Sequence, residues 1–317
     1  MIVVTGGAGF IGSNLVQQLN SVYPSMPIIV VDDLTDGAKF RNIVDCSIAD
    51  YLDKNEFLDK LKKNKPFPNL KAIFHQGACA KTTEWDGQYM MNNNYEYSKI
   101  LLHYCLIWKI PFIYASSAAV YGLGTVFKEE IIYEKPVNVY AYSKYLFDQY
   151  VRSIFNKIES QVVGLRYFNV YGPKESHKGN MASVILHADK QLKNTGIINL
   201  FEGTDGYANG EQVRDFVHVD DVVDVNLWLF KSRKSGIYNV GTGKSESFNT
   251  LAQAVIDFYA HGKIHYIPFP EHLRTCYQNF TQADISKLRD VGYRGTFRNL
   301  VNGVKDYLSI IHKNITV

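Results

Sequence analysis

The chain opens with the stretch Val3-Val4-Thr5-Gly6-Gly7-Ala8-Gly9-Phe10-Ile11-Gly12. The apolar, β-branched residues 1–5 predict a strand, and the amphipathic segment after the glycines predicts a helix. In such a unit, the first glycine makes the tight turn, the second lets the backbone approach a pyrophosphate, and the third allows close helix–strand packing. Gly6, Gly9 and Gly12 occupy these three positions. Helix amides would then hold the anion, so the stretch predicts a dinucleotide-binding turn.

A second motif, Tyr140-Ala141-Tyr142-Ser143-Lys144, lies at mid-chain. Residues four apart on a helix share a face, so Lys144 is expected beside Tyr140. A phenol that must lose a proton near neutral pH needs a nearby cation, because a positive charge lowers its pKa. Ser117 ends a predicted strand upstream, where its hydroxyl can hydrogen-bond a reacting carbinol or carbonyl oxygen. Together with the glycine turn, these residues predict a nicotinamide-dependent redox site.

The composition is that of a globular protein with an ample core. The chain has 317 residues, 46% of them hydrophobic, and a formal net charge of +3. One cluster of lysines is expected to be a solvated helix end rather than a nucleic-acid surface. It consists of Lys60, Lys62, Lys63 and Lys65. No apolar run reaches about 18 residues, so no membrane contact is expected, and the protein is expected to be cytoplasmic.

Cysteine and histidine usage argues against disulfides and metal sites. The cysteines are widely scattered and form no C-x-x-C pair, which fits free thiols in a reducing compartment. They are Cys46, Cys79, Cys105 and Cys276. The nine histidines show no metal-ligand spacing, so no metal is expected.

Strand-like runs alternate with helical periodicity through the first half of the chain. The predicted strands are residues 2–5, 28–31, 72–75, 112–115 and 162–167, and the predicted helices are residues 11–19, 55–62, 95–108 and 140–155. This alternation predicts an α/β fold with a doubly wound parallel sheet, and a cofactor at the carboxyl ends of its strands. The expected domains are a Rossmann domain over 1–170, with returns near 214–243, and a smaller discontinuous substrate-binding portion over 171–213 and 244–317. Residues 203–212, polar and glycine-rich, are expected to form a mobile loop.

The end of the second strand should select the cofactor. Asp32 and Asp33 follow the glycine turn by about twenty residues, and a carboxylate there holds ribose hydroxyls and favours NAD. Lys39 and Arg41 follow closely and could meet a 2′-phosphate instead. Small residues after the next buried strand would let the backbone approach the cofactor. A strand-to-helix turn with no role in binding would have the same residues. They belong to the run Gln76-Gly77-Ala78-Cys79-Ala80.

Four blocks in order resemble the extended short-chain dehydrogenase/reductase family. The blocks are the glycine turn, Tyr140 with Lys144, Arg166-Tyr167-Phe168-Asn169-Val170-Tyr171-Gly172-Pro173 and Arg214-Asp215-Phe216-Val217-His218-Val219-Asp220-Asp221. More specific blocks narrow the resemblance to the nucleotide-sugar epimerases of that family that act on ADP-heptose. They include Thr82-Thr83-Glu84-Trp85-Asp86-Gly87, His177-Lys178-Gly179, Met181-Ala182-Ser183 and Phe201-Glu202-Gly203. The match covers nearly the whole chain.

The resemblance implies epimerisation at C6 of an ADP-heptose through a transient 6-keto intermediate, with bound NADP. Tyr140 would be one acid/base and Lys178 a second on the opposite face. Lys144 would hold the nicotinamide ribose and lower the phenol pKa, and Ser117 would orient the reacting oxygen. A homo-oligomer, a pentamer, is also implied. The expected partner is therefore the ADP-heptose substrate, with no nucleic acid and no membrane.

The resemblance also supplies the binding residues. The expected cofactor contacts are Gly6, Gly9, Phe10, Ile11, Gly12, Asp32, Asp33, Lys39, Lys54, Gln76, Gly77, Ala78, Cys79, Ala80, Asn93, Lys144, Val170 and Lys178. The expected substrate contacts are Asn169, Asn180, His187, Phe201, Glu202, Gly203, Thr204, Arg214 and Tyr277. Arg214 suits a diphosphate, which a guanidinium can grip with two hydrogen bonds. NADP is the expected cofactor, with NAD possible because of Asp32.

Three departures and two alternatives accompany this interpretation. Asn180 replaces an expected serine, Gln76 replaces an expected glutamate, and residues 203–212 are longer than the family pattern. A UDP-hexose 4-epimerase or a nucleotide-sugar dehydratase is the enzymatic alternative. Ala118 and Ala119 after Ser117 disfavour the dehydratase, which usually has acidic residues there. A dinucleotide-binding sensor or scaffold is the other alternative, and the intact Tyr140 and Lys144 disfavour it.

Overall fold

Seven parallel strands form the central sheet in the computed structural model, which describes residues 1–271 and 277–313. They are β1 (Ile2–Thr5), β2 (Ile28–Asp32), β3 (Asp50–Asp53), β4 (Ala72–His75), β5 (Phe112–Ser117), β6 (Val162–Tyr167) and a later strand, β11 (Gly236–Val240). The order across the sheet is β11-β6-β5-β4-β1-β2-β3. Strands β2 and β3 are added on one side of β1 and strands β4 to β6 on the other, so the strand order reverses between β1 and β4. The carboxyl ends of those two strands border the crevice in which such sheets bind ligands. The predicted doubly wound α/β fold is confirmed.

Helices cover both faces of this sheet. Ten α-helices lie within the described residues: α1 (Phe10–Val22), α2 (Lys54–Lys62), α3 (Gly87–Met90), α4 (Tyr97–Ile107), α5 (Val139–Ile154), α6 (Val184–Thr195), α7 (Val219–Ser232), α8 (Phe248–Tyr259), α9 (Ser286–Asp290) and α10 (Leu300–Lys313). One buried cluster joins the sheet to α1 and α7, and a second joins its other face to α2, α4 and α5. Val3 and Val4 fall in different clusters because successive strand residues point to opposite faces.

The five predicted strands are all present in the central sheet, and two of them are longer than predicted. β3, in the same sheet, is not among the predicted strands, because its sequence Asp50-Tyr51-Leu52-Asp53 has a single buried residue, Leu52. It is the edge strand beside β2, so packing on one side suffices for it. β2 continues to Asp32 and β5 to Ser117, which puts both side chains at strand ends.

The later part of the chain has a hydrophobic cluster of its own. It lies among α6, α8, α10 and the strand pair β8 (Ile197–Phe201) and β13 (Lys263–Ile267). Shorter pairs, β7 (Asn169–Tyr171) with β10 (Phe216–His218) and β9 (Val213–Arg214) with β12 (Glu246–Ser247), connect it to the sheet. This cluster supports our proposal of a separate substrate-binding portion.

Several minor expectations concern loops and surface residues. The segment 203–212 folds back on itself, with the Gly210 amide donating to the Phe201 carbonyl at 3.1 Å. Lys60 and Lys62 lie exposed in the last turn of α2, as expected of a solvated helix end. Free thiols are found at Cys46, Cys79 and Cys105, and Cys276 lies outside the described residues. None of the helices in the described ranges is long and apolar enough to cross a membrane.

Candidate active site

The glycine turn joins β1 to α1 in a space that side chains would fill. Gly6 has φ +65°, and a Cβ there would lie 2.5 Å from the amide nitrogen of Gly77. A Cβ on Gly12 would lie 2.1 Å from the carbonyl oxygen of Gly6. Gly9 is the residue before α1, and its amide donates to the Gly6 carbonyl at 3.0 Å. The turn thus needs glycine, and the first amides of α1, which have no acceptor within the helix, can hold a pyrophosphate.

Two aspartate–lysine pairs line the crevice at the end of β2. Lys39 Nζ lies 2.7 Å from Asp32 Oδ1, and Lys54 Nζ lies 2.8 Å from Asp33 Oδ2. Asp32 also accepts hydrogen bonds from the amides of Ala8, at 2.8 Å, and Asp33, at 2.7 Å. Hydrogen bonds from Lys54 and from Thr35 lower the pKa of Asp33. The carboxylates at this strand end are therefore neutralised by lysines and tied to the glycine turn.

A cavity of about 470 Å³ lies between these pairs and the segment after β4. Residues from five separate parts of the chain meet in it. The expected cofactor contacts that line it are Gly6, Asp32, Asp33, Lys39, Lys54, Gly77, Ala78, Cys79 and Asn93. This lining of backbone-exposing small residues and paired charges fits a dinucleotide. Among the remaining expected contacts, Gln76 turns its side chain inward, accepting from Tyr167 at 2.9 Å and donating to Asn226 at 3.3 Å.

Tyr140 and Lys144 lie on the first two turns of α5, which Asn138 caps by accepting from the Ala141 amide at 2.8 Å. Burial raises the pKa of Tyr140, and a hydrogen bond with Ser117 lowers it. The expectation that Lys144 also lowers this pKa stays a prediction. The Lys144 ammonium donates to the Ala115 carbonyl at 2.9 Å, and burial lowers its own pKa to about 8. Ser117 is thus one group that favours the phenolate.

A buried charge cluster lies beneath Lys144. Asp148, one helical turn further along α5, accepts hydrogen bonds from Tyr114, Ser116 and Arg166, each at 2.9 Å. Arg166 is fully buried and pairs with Glu134 at 2.7 Å. The charge of Asp148 raises the pKa of Lys144 against the larger effect of burial. Sequence reasoning missed Asp148, although its spacing of four from Lys144 was a usable signal.

Asn94 was also missed, and it connects the cofactor crevice to the tyrosine helix. It sits in a π-helical turn, Met91–Glu96, just before α4. Its side chain accepts from the Cys79 amide at 2.8 Å and donates to the Cys79 carbonyl at 3.0 Å and to Ser143 Oγ at 3.1 Å. Such π-helical turns are frequent at functional sites, because they re-aim side chains. Asn93, the expected contact, directs its amide to the Tyr89 carbonyl at 3.1 Å.

The loop that bears Lys178 returns to the glycine turn. The ammonium of Lys178 lies 5.0 Å from the centre of the Phe10 ring at the start of α1. Nδ1 of the neighbouring His177 lies 3.1 Å from the side-chain amide nitrogen of Asn42. The same nitrogen donates to the Ala8 carbonyl at 2.9 Å. Burial lowers the pKa of Lys178. The lysine is therefore a half-buried group beside the crevice rather than a solvated loop residue.

On the substrate side, a buried arginine lies among aromatic rings. Arg214 is 6% exposed, and its guanidinium carbon lies 4.9 Å from the centre of the Tyr277 ring. Phe201 and Phe269 complete the cluster, with ring centres 6.3 and 5.1 Å from that of Tyr277. One guanidinium nitrogen donates to the Val213 carbonyl at 3.0 Å, and burial lowers the pKa of Arg214. No carboxylate pairs with Arg214 among the described residues, so it fits a diphosphate.

The other expected substrate contacts are dispersed around this cluster. Asn169 and Val170 lie on β7, and the Asn169 amide oxygen accepts from Thr281 at 3.3 Å. Asn180 is exposed, and His187 is half-buried in the first turn of α6. Glu202, Gly203 and Thr204 follow β8 directly. Within residues 1–271 and 277–313, no group of three or more His, Cys, Asp or Glu side chains could hold a metal ion.

Comparison with known families identifies the fold family. A family model described as "NAD dependent epimerase/dehydratase family" matches residues 2–241. These residues include the glycine turn, Tyr140, Lys144 and Lys178. The chain belongs to this family. Its cofactor is accordingly a nicotinamide dinucleotide, and the crevice beside the glycine turn has the residues to hold it.

Individual relatives narrow the similarity. The chain is 56% identical over 312 residues to the ADP-L-glycero-D-manno-heptose-6-epimerase of Alkalilimnicola ehrlichii, covering 98% of this chain and 97% of that protein. It is 34% identical to the crystal structure of the enzyme of the same name from Helicobacter pylori, with a TM-score of 0.85 and coverage of 98% and 96%. The UDP-glucose 4-epimerase of Thermus thermophilus, solved with NAD, is 26% identical, with a TM-score of 0.79 and 98% of each chain covered.

Proposed function

We propose that the protein interconverts ADP-D-glycero-β-D-manno-heptose and ADP-L-glycero-β-D-manno-heptose by epimerisation at C6 of the heptose. The observation that supports this most strongly is the 56% identity to an ADP-heptose epimerase over 98% of the chain. UDP-hexose 4-epimerases share the fold, but the Thermus thermophilus enzyme is only 26% identical to this chain. The heptose substrate is therefore favoured over a hexose.

Tyr140 is the first acid/base of the proposed reaction, and Ser117 assists it. Oxidation at C6 requires that the hydroxyl lose its proton while a hydride leaves the carbon. When bound, the nicotinamide dinucleotide supplies the acceptor and later the donor of that hydride. The phenol of Tyr140 takes the hydroxyl proton, and Ser117 both orients the reacting oxygen and favours the phenolate. Lys144, on the same face of α5, holds the nicotinamide ribose.

Lys178 is the second acid/base. After oxidation, the 6-keto group must present its other face, so its oxygen moves away from Tyr140. A single fixed phenol reaches one position of the oxygen well, and a second group must protonate it at the other. Burial lowers the pKa of Lys178, so its amine can exchange a proton closer to neutral pH. Its return to the glycine turn beside Phe10 supports this role.

The buried Arg214 cluster is the proposed site of the nucleotide diphosphate. The guanidinium can offer two parallel hydrogen bonds to phosphate oxygens. The rings of Tyr277 and Phe201 beside it offer a face to a planar base. Asn169, Asn180, His187, Glu202, Gly203 and Thr204 are the further proposed substrate contacts.

NADP rather than NAD is the proposed cofactor. Lys39 neutralises Asp32 at 2.7 Å, so the carboxylate that would repel a 2′-phosphate is already paired. Asp32 is also committed to the amides of Ala8 and Asp33, which leaves it less free to accept from a ribose hydroxyl. Lys54 pairs with Asp33 in the same way.

A homo-oligomer, a pentamer, is part of the proposal by resemblance to the family. Large apolar side chains on the surface support an interface between copies, among them Trp85 and Ile132, each 72% exposed. The mass of the particle in solution, measured by light scattering, tests this number.

The activity itself is tested by incubating the purified protein with one ADP-heptose epimer in D₂O. We expect conversion to the other epimer without solvent deuterium at C6, because the hydride stays within the site throughout. A UDP-hexose offered in parallel should stay unchanged. Incorporation of deuterium at C6, or turnover of the UDP-hexose alone, would contradict the proposal.

A further inference from the structure

Glu175 is a fully buried carboxylate, three residues before Lys178. Its two oxygens accept hydrogen bonds from Ser183, one from the backbone amide at 2.7 Å and one from the hydroxyl at 2.5 Å. Tyr307 of α10 donates a third. All three donors are uncharged, and neutral donors alone are poor compensation for a buried negative charge. The ammonium whose pKa this charge raises is that of Lys178.

The same carboxylate closes the loop that bears Lys178. Glu175 stands at the start of the loop, and its carbonyl accepts from the Lys178 amide at 3.0 Å. Ser183 stands at the end of the loop, where its hydroxyl caps α6 by accepting from the Leu186 amide at 3.3 Å. Gly179, with φ +54°, makes the bend between them. Both ends of the loop are thus held by one side chain, and Tyr307 ties that side chain to α10.

The surroundings of Lys178 leave few charges to act on it. In its own loop, the charge of Glu175 raises the pKa of Lys178, and the charge of Lys178 lowers the pKa of His177. The Phe10 ring of α1 faces the ammonium. Beyond His177 lie Lys39, Asp36 and Asp32. Burial lowers the pKa of Lys178, and the charge of Glu175 opposes that effect.

We propose that Glu175 is a positioning residue for the Lys178 amine, fixing its loop from both ends and supplying the negative charge against which the amine gains and loses its proton. This inference rests on the proposed role of Lys178 as the second acid/base. Without the charge, burial alone would determine the pKa of Lys178, which would fall. The amine would then be available as a base at lower pH, and it would be a weaker base.

The test first identifies which epimer depends on Lys178. Lys178→Met is mixed with each epimer in turn, and the rise of reduced nicotinamide absorbance is followed in a single turnover. The epimer that still gives this signal depends on Tyr140, and the epimer that does not depends on Lys178. If both epimers give it and net epimerisation is normal, the role of Lys178 fails at this step, before Glu175 is examined.

Glu175→Gln, which keeps the shape but not the charge, is then compared with the wild type over pH. The rate followed is that of nicotinamide reduction in a single turnover, because net epimerisation uses both Tyr140 and Lys178 with either epimer. For the Lys178-dependent epimer, we expect the ascending limb of the rate profile to move about one pH unit lower. For the Tyr140-dependent epimer, the limb should stay in place. A limb that moves for neither epimer, or equally for both, overturns the proposal.

Ser183→Ala is the matched variant, because it removes a partner of Glu175 and retains the charge. We expect its ascending limb to stay in place while the single-turnover rate of nicotinamide reduction by the Lys178-dependent epimer falls about tenfold or more, since the loop is held less firmly. The rate for the other epimer should change little. This variant decides the matter if Glu175→Gln does not fold: equal losses with both epimers would overturn the proposal.

Discussion

The ammonium of Lys39 lies 2.7 Å from the carboxylate of Asp32, at the strand end where a dinucleotide-binding fold selects its cofactor. In sequence these two residues argued for different cofactors. In the structure they form one pair, 17% and 7% exposed, beside the cavity next to the glycine turn. A 2′-phosphate entering there would meet a lysine rather than an isolated carboxylate.

We therefore expect denatured protein to release NADP, identified by mass. Lys39→Ala should weaken NADP binding about tenfold or more, because a charge-assisted hydrogen bond to phosphate is lost and Asp32 is exposed to it. NAD binding should change little. Arg41→Ala is the control, since Arg41 is exposed and its guanidinium lies over the Phe40 ring at 5.9 Å. Release of NAD alone, with unchanged affinity in Lys39→Ala, would mean that Asp32 selects NAD.

Tyr140→Phe should lower turnover at least about a hundredfold while the dinucleotide stays bound, because the variant loses the proton acceptor and keeps the glycine turn and Lys144. Turnover is measured by NMR of the two epimers, and bound cofactor by absorbance. Tyr142→Phe, two residues away and 44% exposed, is the control that should behave as the wild type. Normal epimerisation by Tyr140→Phe would refute the assignment of the acid/base.

Lys178→Met should abolish epimerisation in both directions, since every turnover uses both faces of the 6-keto group. The Tyr140-dependent half-reaction should remain, seen as a transient nicotinamide absorbance with one epimer only. Lys190→Met, at an exposed position of α6, is the control. Near-normal epimerisation by Lys178→Met would leave Tyr140 as the single acid/base.

Gly12→Ala should lose the bound dinucleotide and lower stability by about 1–3 kcal/mol, because its Cβ would lie 2.1 Å from the Gly6 carbonyl oxygen and force the turn open. Thermal unfolding and cofactor content measure the two effects. Gly37→Ala is the control, since a Cβ there meets nothing within 4 Å. A Gly12→Ala protein that retains its cofactor would mean that the turn can widen without consequence.

His75 should make stability depend on pH. Its ring nitrogens lie 2.6 Å from Thr5 Oγ1 and 2.8 Å from Ser98 Oγ, and burial lowers its pKa from 6.5 to about 3. Below pH 6.5 the unfolded chain takes up a proton that the folded chain refuses, so stability falls as the pH falls towards 3. One such group contributes a slope of about 1.4 kcal/mol per pH unit.

Urea unfolding of His75→Gln and of the wild type, from pH 6.5 downward, measures that contribution. The variant should show the shallower slope. His261→Gln, at an exposed position, should keep the slope of the wild type. Parallel slopes for His75→Gln and the wild type would show that other groups govern the acid side.

The sequence by itself determined the parts of the site whose information is local. The glycine turn can be predicted because the close contacts that require glycine lie within one strand–turn–helix unit, as between Gly12 and Gly6. Tyr140 and Lys144 are readable because four residues make one helical turn. The strands of the sheet interior are readable because burial on both faces leaves continuous apolar runs, whereas the edge strand β3, with one buried residue, left none.

Tertiary structure decided everything that depends on segments distant in the chain. Whether Lys178 is solvated or lies beside Phe10 depends on how the loop after β7 folds back onto α1. The two residues are 168 positions apart in the chain, so no local pattern predicts their contact. The direction of the Lys144 ammonium, towards Ala115, depends on the burial of α5 against β5. Glu175 reads as an ordinary loop carboxylate until α6 and α10 enclose it. Burial and charge pairing are properties of the packed chain, so the pKa values on which this chemistry depends arise only when distant elements meet.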